Sequence, residues 1–319
     1  MTFTRSAALS LLAAFATASC GAIADGPADR REATAEARYP PTGRLIDVGG
    51  LTVHADTSGA GPDVVLIHGA SGNTRDFTFD LARRLSTDFR VTAFDRPGLG
   101  WSDRAEGGVS PLVQADILRA AAAEIGITRP VVVGHSYGGA VAMAWALRDP
   151  DGTGAVVSLA GATMPWPGGL GPWYSIAGSE IGGATIVPMI AAFAPASRAE
   201  KAIAGIFAPD PVPEGYADHI GAGLTLRRET LRENARQVRG LKPHLQAMSA
   251  EYPDLSLPVE IVHGTADTTV PAEVHAKPMA ALLPDANLTL LPDAGHMIHH
   301  ARPQAVVDAI RRAAARAGR

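Results

Sequence analysis

The chain has 319 residues, 46% of them hydrophobic and 19% charged, which is enough apolar material to bury the core of one large domain with room for an insertion. That composition excludes disorder throughout. A formal net charge of −4 excludes the basic excess of a nucleic-acid binder and shows no strongly acidic character.

Arg5 is followed by "SAALSLLAAFATA", a largely apolar segment of 13 residues. This is short of the roughly 20 that a membrane-spanning helix needs, and it fits the h-region of a secretory signal. Residues 1–24 are therefore expected to be a signal peptide, and the protein to be exported to the periplasm or medium. "AIA" at Ala22 to Ala24 would release a soluble chain beginning at Asp25. "TASC" at Thr17 to Cys20 resembles a bacterial lipoprotein box, with Thr17 where leucine is usual; cleavage before Cys20 would leave a lipid anchor, the one route to a membrane. Cys20 is the only cysteine, so the mature protein forms no internal disulfide. Residues 25–40 are polar, charged and aperiodic, and read as a leader outside the fold.

From Pro41 onward, "RLIDVGGLTVHADTSG" predicts two strands turning at Gly49 and Gly50. "DVVLIHG", "RVTAFDRPG", "VVVGHS", "AVVSLAG", "VEIVHGTAD" and "LTLLPDAGH" are apolar runs ending in small or polar residues, as buried parallel strands do. Helical patterns fall at 78–85, 112–125, 140–147 and 272–283. This alternation predicts an α/β fold with a mostly parallel central sheet, its core formed by residues 41–163 and 253–319. The intervening residues 164–252 carry no clear strand and are too many for one loop, so they are read as an inserted helical cap.

Chemistry centres on "VVVGHSYGGAVAMAWAL". With 34 glycines in the chain, G-x-S-x-G alone should arise by chance roughly one time in six, so context decides. Here an apolar run precedes Ser136 and a helical run follows it, the strand, turn and helix of a nucleophile elbow. Gly134 and Gly138 carry no β-carbon where that turn is tight. A serine hydroxyl needs a base, and the base needs an orienting group, in the chain order Ser, Asp or Glu, His on such a scaffold. Asp267 in "HGTADTTVP" and His296 in "LPDAGHMIH" follow successive strands in that order. Asp254 and Glu260, the rival carboxylates, lie before or within a strand. The oxyanion hole is expected from the amides of Tyr137 and Ala70, with Ser71 competing with Ala70.

"HGASG", "DRPGLGWSD", "GHSYGG", "HGTAD" and "DAGH" together resemble the α/β-hydrolase family, in which such motifs occur in this order. The resemblance covers residues 44–163 and 253–316 and implies an α/β-hydrolase fold and a Ser136, His296, Asp267 triad that uses no metal and no organic cofactor. Serine at position 136 also separates the chain from the family's dehalogenases and epoxide hydrolases, whose nucleophile is a carboxylate.

Other residues divide between bracing and binding. His68 and His135 either brace loops or touch substrate, and Asp95 with Arg96 reads as a loop-bracing pair. His299 and His300 complete "HMIHH", whose H-x-x-H spacing from His296 comes without an acidic cluster and reads as solvated helix histidines rather than a metal site. In the cap, Trp166, Trp173, Tyr174, Ile176, Ile181, Met189, Ile190 and Phe193 either roof an apolar pocket or pack the cap onto the core, with Trp166 and Trp173 the candidate substrate contacts. Arg227, Arg228, Arg232 and Arg236 alternate with Glu229 and Glu233 as on a solvated helix face. The expected activity is hydrolysis of a moderately apolar carboxylic ester, with a small molecule as partner and no nucleic acid. Other triad reactions (carbon-carbon bond, lactone or amide hydrolysis, perhydrolysis) and a ligand-binding protein that retains the fold are the alternatives.

Overall fold

The computed structural model describes residues 24–318, so the expected signal peptide, Ala24 apart, and Cys20 lie outside the described residues. Its strands are β1 (Arg44–Val48), β2 (Leu51–Ser58), β3 (Asp63–Ile67), β4 (Arg90–Phe94), β5 (Val131–His135), β6 (Ala155–Leu159), β7 (Val259–Gly264) and β8 (Ala286–Leu291). They form one sheet in the order β1-β2-β4-β3-β5-β6-β7-β8. β1 and β2 form an antiparallel hairpin that pairs antiparallel with β4, and every other pairing is parallel. Register aligns the carboxyl ends: Ile67 pairs with Gly134, Gly134 with Ser158, and Ser158 with Ile261. The loops that follow β3, β5, β7 and β8 thus emerge along one edge.

Alternate side chains leave a strand on opposite faces. Val65 and Ile67 join one apolar cluster with α4 (Pro111–Glu124), α5 (Tyr137–Arg148) and Met279 of α12 (Ala276–Leu282). Val64 and Leu66 join the other, with α3 (Leu81–Leu85), which follows the short α2 (Arg75–Thr78), and with α14 (Pro303–Arg316), which follows α13 (Ile298–Ala301). With both faces covered, β5 and β6 are buried along their whole length.

Between β6 and β7 the chain forms α6 (Pro172–Ala177), α7 (Glu180–Phe193), α8 (Ala196–Phe207), α9 (Tyr216–His219), α10 (Ala222–Thr225) and α11 (Arg228–Ser249). α11 is not a solvated helix. Its first turns pack Leu231 and Ala235 against the inserted helices, and its last turns send Leu241, Leu245 and Met248 into the main core.

The largest departure from expectation is the leader. Residues 24–38 are a helix, α1, that buries Ala24 and Ala28 against Ala177, Val187 and Ala191. Its acidic side chains meet the arginines that the sequence suggested were solvated. Arg228 bonds Asp25 at 2.9 Å and Glu32 at 2.9 Å and also pairs with Asp29, and Arg227 reaches Glu36 at 3.0 Å. Alanines spaced along a charged segment form an apolar stripe too narrow to register as periodicity, and the partner charges lie about 200 residues away.

Candidate active site

Ser136 sits between β5 and α5 with φ 53° and ψ −120°, a conformation that costs a non-glycine residue of the order of 1–3 kcal/mol and is held only by its surroundings. Those surroundings are specific. Its amide donates to Leu159 O at 3.0 Å, and its carbonyl accepts from Gly139 and Ala162 at 2.9 Å each. A β-carbon on Gly134 would come within 2.1 Å of Gly138 O, and one on Gly138 within 2.1 Å of Ile67 O. The elbow therefore closes against the end of β3 only with glycine at both positions.

His296, in the loop after β8, donates from Nδ1 to Asp267 Oδ2 at 2.7 Å. Asp267, in the loop after β7, uses Oδ1 to accept the amides of Thr269 and Val270, each at 2.9 Å, and lies 3.3 Å from His263 Nε2. Burial alone would raise its carboxyl pKa. The hydrogen bonds from His263 and His296 and the backbone outweigh burial and hold it well below the usual carboxylate range. The rivals are elsewhere: Asp254 is exposed, and buried Glu260 is paired with Arg312 and Arg316.

Ser136 and His296 line one cavity of about 370 Å³, together with Ala70, Ser71, Asp76, His135, Tyr174 and Thr269. Its remaining wall is largely apolar and comes from the inserted helices, including Ile203, Ile206, Ile220 and Leu231. The volume lies near the lower end of the roughly 300–1,000 Å³ usual for small-molecule sites. A larger hollow of about 550 Å³ lies beneath α1; its Ser102 hydroxyl donates to Asp95 O at 2.7 Å, and its arginines 227 and 228 are engaged by acids of α1.

The amide of Ser71 donates to Asn234 Oδ1 at 2.7 Å, which leaves Ala70 the better placed of the two in that loop to donate into the cavity. Tyr137 is the first residue of α5, where the amide has no carbonyl one turn back in its own helix. Arg96 braces both. It is fully buried, donates to the carbonyls of His68 and Gly69 and to Gln114 and Gln237, and lies 4.2 Å from the Tyr137 ring centroid. Asp95 is not its partner; Asp95 accepts from His54 at 2.7 Å and from the amides of Thr74 and Trp101. Nothing local in the sequence marks Asn234 or Gln237, because their partners are about 140 to 160 residues away.

Three proposed substrate contacts do not reach the cavity. His68 is fully buried, with Nε2 accepting from the Arg96 amide, and burial and the neighbouring guanidinium lower its pKa to about 4. Trp166 packs on the main core beside His275, and Trp173 packs with α1 and α7. Tyr174 is the aromatic residue of that stretch that lines the cavity.

His299 and His300 are buried, not solvated. Their Nε2 atoms donate to Asp76 at 3.1 and 2.9 Å, and Tyr216 donates to the same carboxylate at 2.8 Å. Asp76, His135 and His299 offer ligand atoms within 4.8 Å of one another, so the acidic group missing from the local sequence comes from α2. Both Asp76 oxygens already accept hydrogen bonds, and this arrangement fits a buried polar knot that steadies the segment carrying His296. His135 donates from Nε2 to His296 O at 3.2 Å, and burial, with the adjacent histidines, keeps His135 neutral.

The profile of the alpha/beta hydrolase family matches residues 64–309. The chain is 26% identical over 274 residues to a 2-(acetamidomethylene)succinate hydrolase of Mesorhizobium japonicum, covering 84% of this chain and 93% of that protein. The enol-lactonase of Burkholderia xenovorans LB400 superposes with a TM-score of 0.69 at 19% identity, covering 85% of this chain and 99% of that one. A thermophilic esterase of Thermogutta terrifontis superposes with a TM-score of 0.66 at 22% identity, covering 84% and 95%. At these identities the two structures speak for the fold alone.

Proposed function

The chain belongs to the alpha/beta hydrolase family, and from that premise we propose that it is a serine hydrolase cleaving small, moderately apolar carboxylic esters through an acyl-enzyme on Ser136. One observation carries the reading: Ser136 and His296 border the same cavity while Asp267 holds Nδ1 of His296 at 2.7 Å. Nδ1 being committed, Nε2 is the nitrogen left for the serine hydroxyl.

The Ser136 Oγ attacks the ester carbonyl carbon as His296 Nε2 takes its proton. The carbonyl electrons move to oxygen, and the amides of Ala70 and Tyr137 hold the resulting oxyanion. Asp267, ionised and desolvated, stabilises the imidazolium. Collapse breaks the carbon-oxygen bond, and His296 returns the proton to the leaving alcohol. A water deprotonated by His296 then attacks the acyl carbon, releasing the acid and restoring the serine. The apolar wall suits a short acyl or alkyl group. A lactone presents the same carbonyl and leaving oxygen, and is the second class to assay. Export by the apolar segment 6–18 completes the reading.

The test is hydrolysis of a p-nitrophenyl ester series by the wild type and Ser136→Ala, with a phosphonate label mapped by peptide mass. Loss of turnover in the variant and label on Ser136 is the expected result. Turnover retained by Ser136→Ala overturns the scheme.

A further inference from the structure

The cap carries an apolar surface that the proposed hydrolysis does not use. Five of the large hydrophobic side chains most exposed in the described chain fall between positions 176 and 193: Ile176, Ile181, Ile186, Met189 and Phe193, with Ile181 77% and Phe193 50% exposed. Those four on α7 span an arc of roughly 140° at the helical period. The opposite side of α7 is apolar too, with Val187 and Ala191 buried against α1 and α11. A helix that is apolar all round is normally covered all round, so the outer face lacks a cover.

We propose that this stripe docks on a lipid bilayer, lying in the interface plane. The occupant is chosen by where the rest of the chain joins. The described chain begins at Ala24, which is buried against the same inserted helices as α7, and Arg31 of α1 grips the end of α7 through the carbonyls of Ala192 at 2.9 Å and Ala194 at 2.6 Å. Cleavage before Cys20 would leave a lipidated residue four positions before Ala24, a reach of at most about 14 Å. A membrane anchor at that cysteine is therefore held beside the stripe. No single described helix is long and apolar enough to cross a bilayer, and although α7 and α8 together have the length and composition of a bent span, α8 is committed to the Ser136 cavity, so α7 rests on the surface with its outer side chains at the acyl boundary. α8 leaves α7 at 103° and lines the Ser136 cavity with Ala199, Ala202, Ile203 and Ile206. Resting on the hydrolase reading, docking names the substrate class: an amphiphilic ester partitioned into the membrane.

The test uses the full chain with Cys20→Ser and a single environment-sensitive fluorophore on Ile181→Cys or Phe193→Cys, mixed with vesicles of phosphatidylethanolamine and phosphatidylglycerol. The same label on Asp308→Cys, exposed on α14, is the control. Docking predicts that emission at 181 and 193 shifts to the blue and is quenched by spin-labelled acyl chains, while 308 stays unchanged. Emission that stays unshifted at both sites, whether or not the chain sediments with vesicles, overturns it. Emission already blue without vesicles overturns it as well, assigning the stripe to a second copy if the shift grows with protein concentration and to the chain's own N-terminus if it does not. The variant I181N/F193N is expected to lose about tenfold or more in turnover of a vesicle-embedded ester and to keep turnover of a soluble one. Equal turnover of both esters by the variant and the wild type overturns docking alone; labels that dock without any turnover overturn the ester reading alone.

Discussion

The site has a sheet side and a cap side, and they are built differently. On the sheet side, Ser136, Asp267 and His296 follow β5, β7 and β8, and backbone hydrogen bonds and glycine contacts leave no slack around them. On the cap side, the wall is made of helices held by side-chain contacts, by α1 and by ion pairs, with apolar residues left facing out. Chemistry needs atoms held to a fraction of an ångström, which a hydrogen-bonded sheet edge supplies. Selection of substrate needs a wall of the right polarity, which a helical insertion supplies with looser tolerances.

The strongest break of this comparison is on the sheet side. Ser136→Ala and His296→Ala should each lower ester turnover by about 10⁴-fold or more, and Asp267→Asn by about 10⁴-fold, with thermal unfolding unchanged to within a few degrees. Ile206→Ala, on the cap wall, should change chain-length preference and turnover by only about tenfold. A cap variant as damaging as Ser136→Ala would erase the distinction.

Gly138→Ala comes next. Its β-carbon would meet Ile67 O at 2.1 Å, backbone against backbone, so urea unfolding should show a loss of at least about 3 kcal/mol or no soluble protein. The same change at Gly205 of α8, where nothing lies within 4 Å, should be neutral or slightly stabilising.

Acid should separate the two sides as well. Burial holds His68, His275 and His299 at about 4, below the ordinary value near 6.5, and all three lie on the sheet side. Between those values the unfolded chain binds protons that the folded chain does not. Stability is therefore full above about pH 6.5 and falls as pH drops toward 4, by at most about 1.4 kcal/mol per pH unit for each histidine. The depressed Asp267 carboxyl adds its loss only below about pH 4, as pH falls toward its folded value. Urea titrations at pH 7.5, 6 and 5 read the slope; a flat profile would contradict the burial of these rings.

The smallest effect belongs to the cap. Three of the four acids that Arg227 and Arg228 meet on α1 are more than two-fifths exposed, so Arg228→Ala should cost about 1 kcal/mol or less in global stability. It should nonetheless release α1 to limited proteolysis, and 1 M salt should do the same to the wild type while leaving the sheet intact.

What was legible in the sequence follows from range. The strands could be read because a fully buried strand must be apolar along its whole length, and the elbow because glycine, serine and glycine act within five residues. Ser136, Asp267 and His296 could be located because each follows an apolar run directly. The cap was legible only as an interval that lacked strands; whether its aromatic residues faced the cavity, the core or solvent was not.

The amino-acid sequence by itself determined the mostly parallel sheet and the strand ends on which the candidate site stands, since these depend on local hydrophobic period and turn geometry. Only the tertiary structure decided that α1 neutralises Arg228, that Arg96 serves Gly69 and Tyr137 rather than Asp95, and that Asp76 gathers His299 and His300. Each of these joins groups far apart in the chain, most of them by more than a hundred residues. A charge or a ring carries no mark of its distant partner until packing removes the water that would otherwise have satisfied it.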